Sequence, residues 1–110
     1  MKKPKELIKQ VAVAVGEDYT LMLIDDEWCL YRDLRNGYDI EVNLSGTKKL
    51  TLNATVYVWQ VRDQLKVIEK IEGISNIEEL RRILRRVVNK TNRLAAKKNK
   101  VYRPILVEAV

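Results

Sequence analysis

The chain contains no histidine, and that absence removes more chemistry than any other feature of its 110 residues. Without imidazole there is no histidine-based catalytic triad, no side chain that ordinarily exchanges a proton near pH 7, and no histidine ligand for zinc. The single cysteine, Cys29, rules out an intrachain disulfide and fits a reducing compartment. It alternates with Trp28 and Leu30 and has no base to activate it, so it reads as a packing residue rather than a nucleophile. The four glycines are scattered, which leaves no glycine-rich phosphate loop. No apolar run has the length of a membrane span, and Val11 to Val15, behind the charged start MKKPKELIKQ, is too short for the core of a signal peptide. A cytoplasmic protein with no membrane contact is the expectation.

Acidic residues are present, but not in catalytic or metal-binding patterns. Asp25-Asp26-Glu27 reads as a turn, because a calcium site needs spaced carboxylates and further oxygen donors. Asp39 and Glu41 fall on the polar side of a strand, where a solvated pair is expected rather than a buried pair with tuned acidities. No cofactor, metal or small-molecule substrate is implied, and no enzymatic activity is expected.

What the chain does have is a lopsided charge. The formal net charge is +6, yet residues 1–74 carry 11 Lys+Arg against 12 Asp+Glu, and residues 75–110 carry 10 against 3. Essentially all the excess lies in the last third, an asymmetry associated with nucleic-acid or membrane-surface contact.

That third is dominated by Ser75 to Ala96, the longest expected helix. Ser75 followed by Glu78 matches a capping box. At about 100° per residue, Ile77, Leu80, Ile83, Leu84, Val87, Val88, Thr91, Leu94 and Ala95 share one arc of roughly 140°. Arg81, Arg82, Arg85, Arg86, Lys90 and Arg93 fill most of the rest, so the helix has one stripe for a core and a broad basic back. That back also has a plain explanation. Acids in the first turn followed by cations suit the helix dipole without any ligand.

Upstream, Pro4 to Val15 reads as a helix that starts on a proline and ends at Gly16, although VAVAV alone would also suit a strand. Tyr19 to Ile24 is an expected strand. Trp28 to Leu34 and Tyr38 to Leu44 form a hairpin. A three-residue loop, Arg35-Asn36-Gly37, sets Val42 opposite Leu30 and Leu44 opposite Trp28, gathering Trp28, Leu30, Leu34, Ile40, Val42 and Leu44 on one face. It also sets Arg32 beside Ile40, which requires a strand end or a snorkelling side chain. Ser45 to Lys49 is an expected turn, and Leu50 to Val61 the longest strand. Pairing Leu44 with Leu50 would set Val42 on Leu52 and Ile40 on Ala54. Leu65 to Ile71 is a further strand whose facing does not resolve, with Gly73 as its end. All four glycines then mark element boundaries. Beyond Ala96, Arg103-Pro104 favours an extended backbone, and the apolar Ile105 to Val107 suggests a tail docked on the domain or on a partner.

The expected architecture is a single α+β domain: an antiparallel meander of four or five strands, with the N-terminal helix and the long basic helix on its apolar face. The helix–strands–helix order is similar to that of double-stranded-RNA-binding domains. Their lysine-rich opening of the second helix is replaced here by Ser75-Asn76-Ile77-Glu78-Glu79, and the chain is not assigned to that family. Two functions follow. In the first, Arg81, Arg82, Arg85, Arg86, Lys90, Arg93, Lys97, Lys98 and Lys100 contact the phosphates of DNA or RNA with little base specificity. In the second, the chain is a protein-interaction module, an inhibitor, adaptor, small subunit or homodimer, using Tyr57, Trp59 and Tyr102. Tyr57 and Trp59 would project from the sheet's outer face, able to anchor a partner or simply to shield that face.

Overall fold

Two helices bury their apolar stripes on one face of a five-stranded antiparallel sheet. The computed structural model describes residues 3–44 and 52–108, with side chains through residue 97. The order is α1 (Glu6–Val15), β1 (Thr20–Ile24), β2 (Glu27–Asp33), β3 (Tyr38–Leu44), β4 (Ala54–Gln60), β5 (Lys66–Ile74) and α2 (Ile77–Glu108). Each strand pairs with the next, so the sheet is a plain meander, β1-β2-β3-β4-β5. One hydrophobic cluster joins Ile8 and Val11 of α1, Leu30, Ile40, Val42, Val56 and Val58 of the sheet, and Leu80, Leu84 and Val87 of α2. Among the described residues no helix is long and apolar enough to cross a membrane.

The VAVAV ambiguity resolves as helix. Val11 is 1% exposed while Val13 is 83% exposed; in a strand these two would share a face. Gly16 ends α1 at φ +100°, and its N–H donates to the Ala12 carbonyl at 3.2 Å. Asp25 and Asp26 form a two-residue hairpin loop between the paired Ile24 and Glu27. Both aspartates have positive φ, +50° and +63°. Such a turn matches the twist of the flanking strands, and aspartate tolerates its left-handed conformation better than most residues.

The β2–β3 hairpin has the expected register. Leu30 faces Val42 and Arg32 faces Ile40, and the Leu34 N–H donates to the Tyr38 carbonyl across Arg35-Asn36-Gly37. Gly37 has φ +95°, and Arg35 also takes a positive φ of +59°. The loop is tied to α2: Asn36 Nδ2 donates to Thr91 Oγ1 at 3.1 Å and to Asn92 Oδ1 at 2.8 Å.

Several expectations need correction. The β3–β4 register lies four residues further on, with Leu44 on Ala54, Val42 on Val56 and Ile40 on Val58. An even slip keeps the same side chains on the core face, so the alternating pattern could not exclude it. The observed register also sets branched side chains opposite one another where the expected one put Ala54 against Ile40. The expected Ser45–Lys49 turn, Leu50 and Thr51 lie outside the described residues, and the described strand is Ala54–Gln60, shorter than the expected Leu50–Val61 and than β5.

β5 is longer than expected and breaks register with β4 twice, between Ala54 and Val56 and between Val58 and Trp59. Each irregularity shifts the alternation, which is why Val67, Ile68 and Ile71 follow no single period. Gly73, at φ +72°, lies within β5 rather than at its end, and Ile74 beyond it is fully buried.

The cap of α2 is Asn76, not Ser75: its Oδ1 accepts the Glu79 N–H at 2.8 Å. Finally, α2 continues as helix through Pro104 to Glu108, where an extended Arg103 and a separate tail were expected. A proline removes one intrahelical hydrogen bond, and cooperative elongation of a long helix prevails over that local bias.

Asn76→Ala should therefore lower stability by about 1 kcal/mol, and Ser75→Ala by less than about 0.5 kcal/mol, in urea denaturation. The opposite ranking would return the cap to Ser75.

Candidate nucleic-acid interface

The stripe that carries Leu80, Leu84, Val87 and Thr91 into the core fixes where the cations from Arg81 to Lys97 point. Leu80 and Thr91 are fully buried, and Leu84 and Val87 nearly so. Thr91 fits there because its hydroxyl donates to the Val88 carbonyl at 3.0 Å and accepts from Asn36. The basic residues then divide by their angle around the axis.

Arg86 and Lys90 flank the stripe on the β5 side. Both reach Glu69, at 3.1 and 3.2 Å. Glu69 stands on the core-facing side of β5, opposite Val58, and its side chain is 22% exposed. Burial alone would push its carboxyl up. Hydrogen bonds from Lys90 and Arg86, with their charges, outweigh burial and hold it below the usual range. Arg82, Arg93 and Lys97 lie along the outward side and are exposed. Arg81 and Arg85 flank the stripe on the other side, facing the end of α1 and β2, where they line a cleft with Arg32 and Tyr19. The side chains of Lys98, Lys100 and Tyr102 lie outside the described residues.

Of the nine cations expected to form one strip, the seven with described side chains therefore have three different surroundings. Glu69 and Arg32 were not counted in the expected site. Arg32 did carry a signal in the sequence, since the hairpin register puts a guanidinium on the apolar face. Its solution is visible here. Arg32 is the penultimate residue of β2, its guanidinium sits 5.5 Å from the Tyr19 ring centroid, and it approaches Asp18 at 3.9 Å.

The opposite sheet face has no described element over it. Tyr31, Tyr57 and Trp59 are half-buried there beside Asp39 and Glu41. Lys70 Nζ stands 5.5 Å from the Tyr57 ring centroid and pairs with Glu72 at 2.7 Å. The Tyr31 hydroxyl donates to Asp39 Oδ2. Asp39 is only 8% exposed, where a solvated carboxylate was expected, and among the described residues its other carboxylate oxygen has no hydrogen-bond partner. Burial pushes its carboxyl up, opposed by the Tyr31 hydrogen bond and reinforced by Asp33. Cys29, buried on this side, has its thiol pushed up to about 11 by burial and by Glu41, so it is an unreactive neutral thiol at neutral pH. These acids make the face unsuited to phosphate.

The two shifted carboxylates act on stability with opposite signs. Glu69, with its folded pKa lowered, stabilises the fold above its unfolded value near 4.5, and that contribution is lost as pH falls through the folded value. Glu69→Gln should cost up to about 1 kcal/mol at pH 7, since its partners are half-exposed, and nothing below about pH 3. Asp39, with its folded pKa raised, penalises the fold once it ionises. Asp39→Asn should therefore stabilise the protein at pH 7, with the gain vanishing as pH drops below 3.8. Urea titrations across pH 2–8 check both signs.

No protein-family model, curated protein or solved structure matches this chain, so its function must be argued from the residues of the site.

Proposed function

We propose that this protein is a non-enzymatic nucleic-acid-binding protein that holds the phosphate backbone along the outward and α1-facing sides of α2. The observation that carries this reading is that Arg81, Arg82, Arg85, Arg93 and Lys97 are all exposed on one helix, and that none of them forms an ion pair with a described residue. Arg81 to Lys97 spans about 24 Å of helix at 1.5 Å per residue. Duplex DNA carries a charge about every 1.7 Å of axis, so such a stripe can meet several phosphates. Arginine suits the task because its planar fork pairs with phosphate oxygens two at a time. Contacts of this kind position a helix on nucleic acid without reading bases. Arg86 and Lys90 contribute less, because Glu69 already neutralises part of their charge.

Arg82 and Arg93 are the sharper test than Arg86, whose reversal would also break the Glu69 pair. Fluorescence anisotropy with labelled duplex and single-stranded oligonucleotides should show affinity falling steeply with salt. The Arg82→Glu/Arg93→Glu double variant should bind at least about tenfold more weakly, with the salt slope reduced by about one per lost phosphate contact. Unchanged affinity in a folded double variant would remove α2 as the interface.

A protein-interaction role is favoured by a different observation, the sheet face carrying Tyr31, Tyr57 and Trp59, over which no described element lies. If that face mediates self-association, Trp59→Ala shifts sedimentation towards monomer; a wild-type protein that is monomeric at high concentration rules out the homodimer.

A further inference from the structure

The cleft where α1 ends against β2 and α2 has the composition of an anion receptor. It encloses about 250 Å³ and is lined by Arg32, Arg81 and Arg85, with Tyr19, Asp18 and Asn89. Arg81 and Arg85 come from successive turns of one helix face, and Arg32 from the strand opposite. Asp18 is the one acid in the lining. Its side chain is 75% exposed, and its approach to Arg32 is a long 3.9 Å. The carbonyl end of α1 adds about half a negative charge. That leaves an excess of about one and a half positive charges facing a shared concavity. Three converging guanidiniums repel one another, and nothing in the fold requires them to meet: the core is complete without Arg81 and Arg85.

Tyr19 is an independent sign of a ligand. It lines the cleft and is 8% exposed, and among the described residues its hydroxyl finds no acceptor, since Arg32, the neighbour that acts on it, can only donate. A buried phenol without an acceptor destabilises the fold unless a visiting group accepts a hydrogen bond from it. Burial pushes the Tyr19 hydroxyl up, opposed by Arg32, so it is a neutral donor at neutral pH. Val15, Leu84 and Val88 supply the apolar part of the lining, which lowers the local dielectric beside the guanidiniums. The volume lies below the roughly 300 Å³ at which pockets for whole drug-sized ligands begin, which suits a small, highly charged group.

We infer that this cleft is a receptor for a phosphate monoester, the group carried by a 5′-phosphorylated strand or a mononucleotide, with Arg32, Arg81 and Arg85 pairing with its oxygens and the Tyr19 hydroxyl donating to one of them. A monoester carries about −1.5 to −2 at neutral pH and three free oxygens, against one charge and two free oxygens for an internal phosphodiester. The cleft matches the former in charge, and a chain end enters a concavity more easily than a link flanked by two sugars. The inference deepens the proposed function, because Arg81 and Arg85 belong to both, whereas Arg32 and Tyr19 belong to the cleft alone.

The experiment compares oligonucleotides of identical sequence with a 5′-phosphate or a 5′-hydroxyl by fluorescence anisotropy, and a nucleoside 5′-monophosphate with its nucleoside by calorimetry. Tyr19→Phe, which deletes one oxygen, and Arg32→Gln are run beside the wild type, with circular dichroism to verify folding. The expected result is a preference of about tenfold or more for the 5′-phosphate, reduced several-fold in both variants while affinity for the 5′-hydroxyl strand is unchanged. Equal affinity for both strands, with no binding of the monophosphate, overturns the receptor and leaves backbone binding by α2 standing. A preference that survives both variants also overturns it. Binding of the monophosphate alone, weakened in the variants, upholds the receptor and removes the backbone reading. No binding of any probe removes both.

Discussion

Every feature of this molecule that bears on function depends on one packing contact, the apolar stripe of α2 laid against the β3–β4 ladder. Leu80, Leu84 and Val87 meet a surface built from Ile40, Val42, Val56 and Val58, all essentially excluded from water. Burying each such side chain contributes about 1.5–3 kcal/mol, so this contact outweighs any single ion pair on the surface. Because a helix has one rotational setting once a stripe is buried, the same contact decides the direction of the arginines from Arg81 to Arg93. The Asn36 bridge to Thr91 and Asn92 reinforces that setting from the hairpin loop.

The rotation gives one helix three electrostatic environments. On the β5 side an acid half-sunk in the sheet satisfies two cations. On the outward side the cations meet only water. On the α1 side two arginines face a third across a cleft that holds one exposed acid. A purely structural use of cations would tend to equalise these settings, with acids at helical spacing beside each arginine. The helix instead has acids in its first turn, Glu78 and Glu79, where they serve the dipole and stand at helical spacing from Arg81 and Arg82, and none at that spacing from Arg85 or Arg93. The uneven distribution is what directs attention to the outward and α1-facing sides.

The opposite sheet face shows a different balance. Acids alternate there with aromatics, and the Asp39 carboxyl is pushed up by burial and bonded by Tyr31. The molecule thus separates its charges by layer, cations on the helical side and acids on the bare sheet. A polyanion and a protein partner would therefore meet different surfaces.

Local pattern was enough to find the α+β class, the N-terminal helix, the hairpin with its three-residue loop and the buried stripe of α2. Each rests on periodicities and turn residues that act over a few positions, where the chain has few alternatives. The strand offset between β3 and β4 was not legible, because a slip of four residues preserves every facing and only packing against the rest of the core chooses between registers. The facing of β5 was hidden by its two irregularities, and the cap moved from Ser75 to Asn76 as β5 runs through Gly73 to Ile74, one residue further than expected. For the candidate site, the residue types of α2 were readable in advance, as was the oddity of Arg32. What only the tertiary structure decided was which cations are neutralised and which converge. Glu69 lies on another strand, Tyr19 in another loop and Arg32 on a third element, and charge interactions depend on distances in space that no spacing along the chain records.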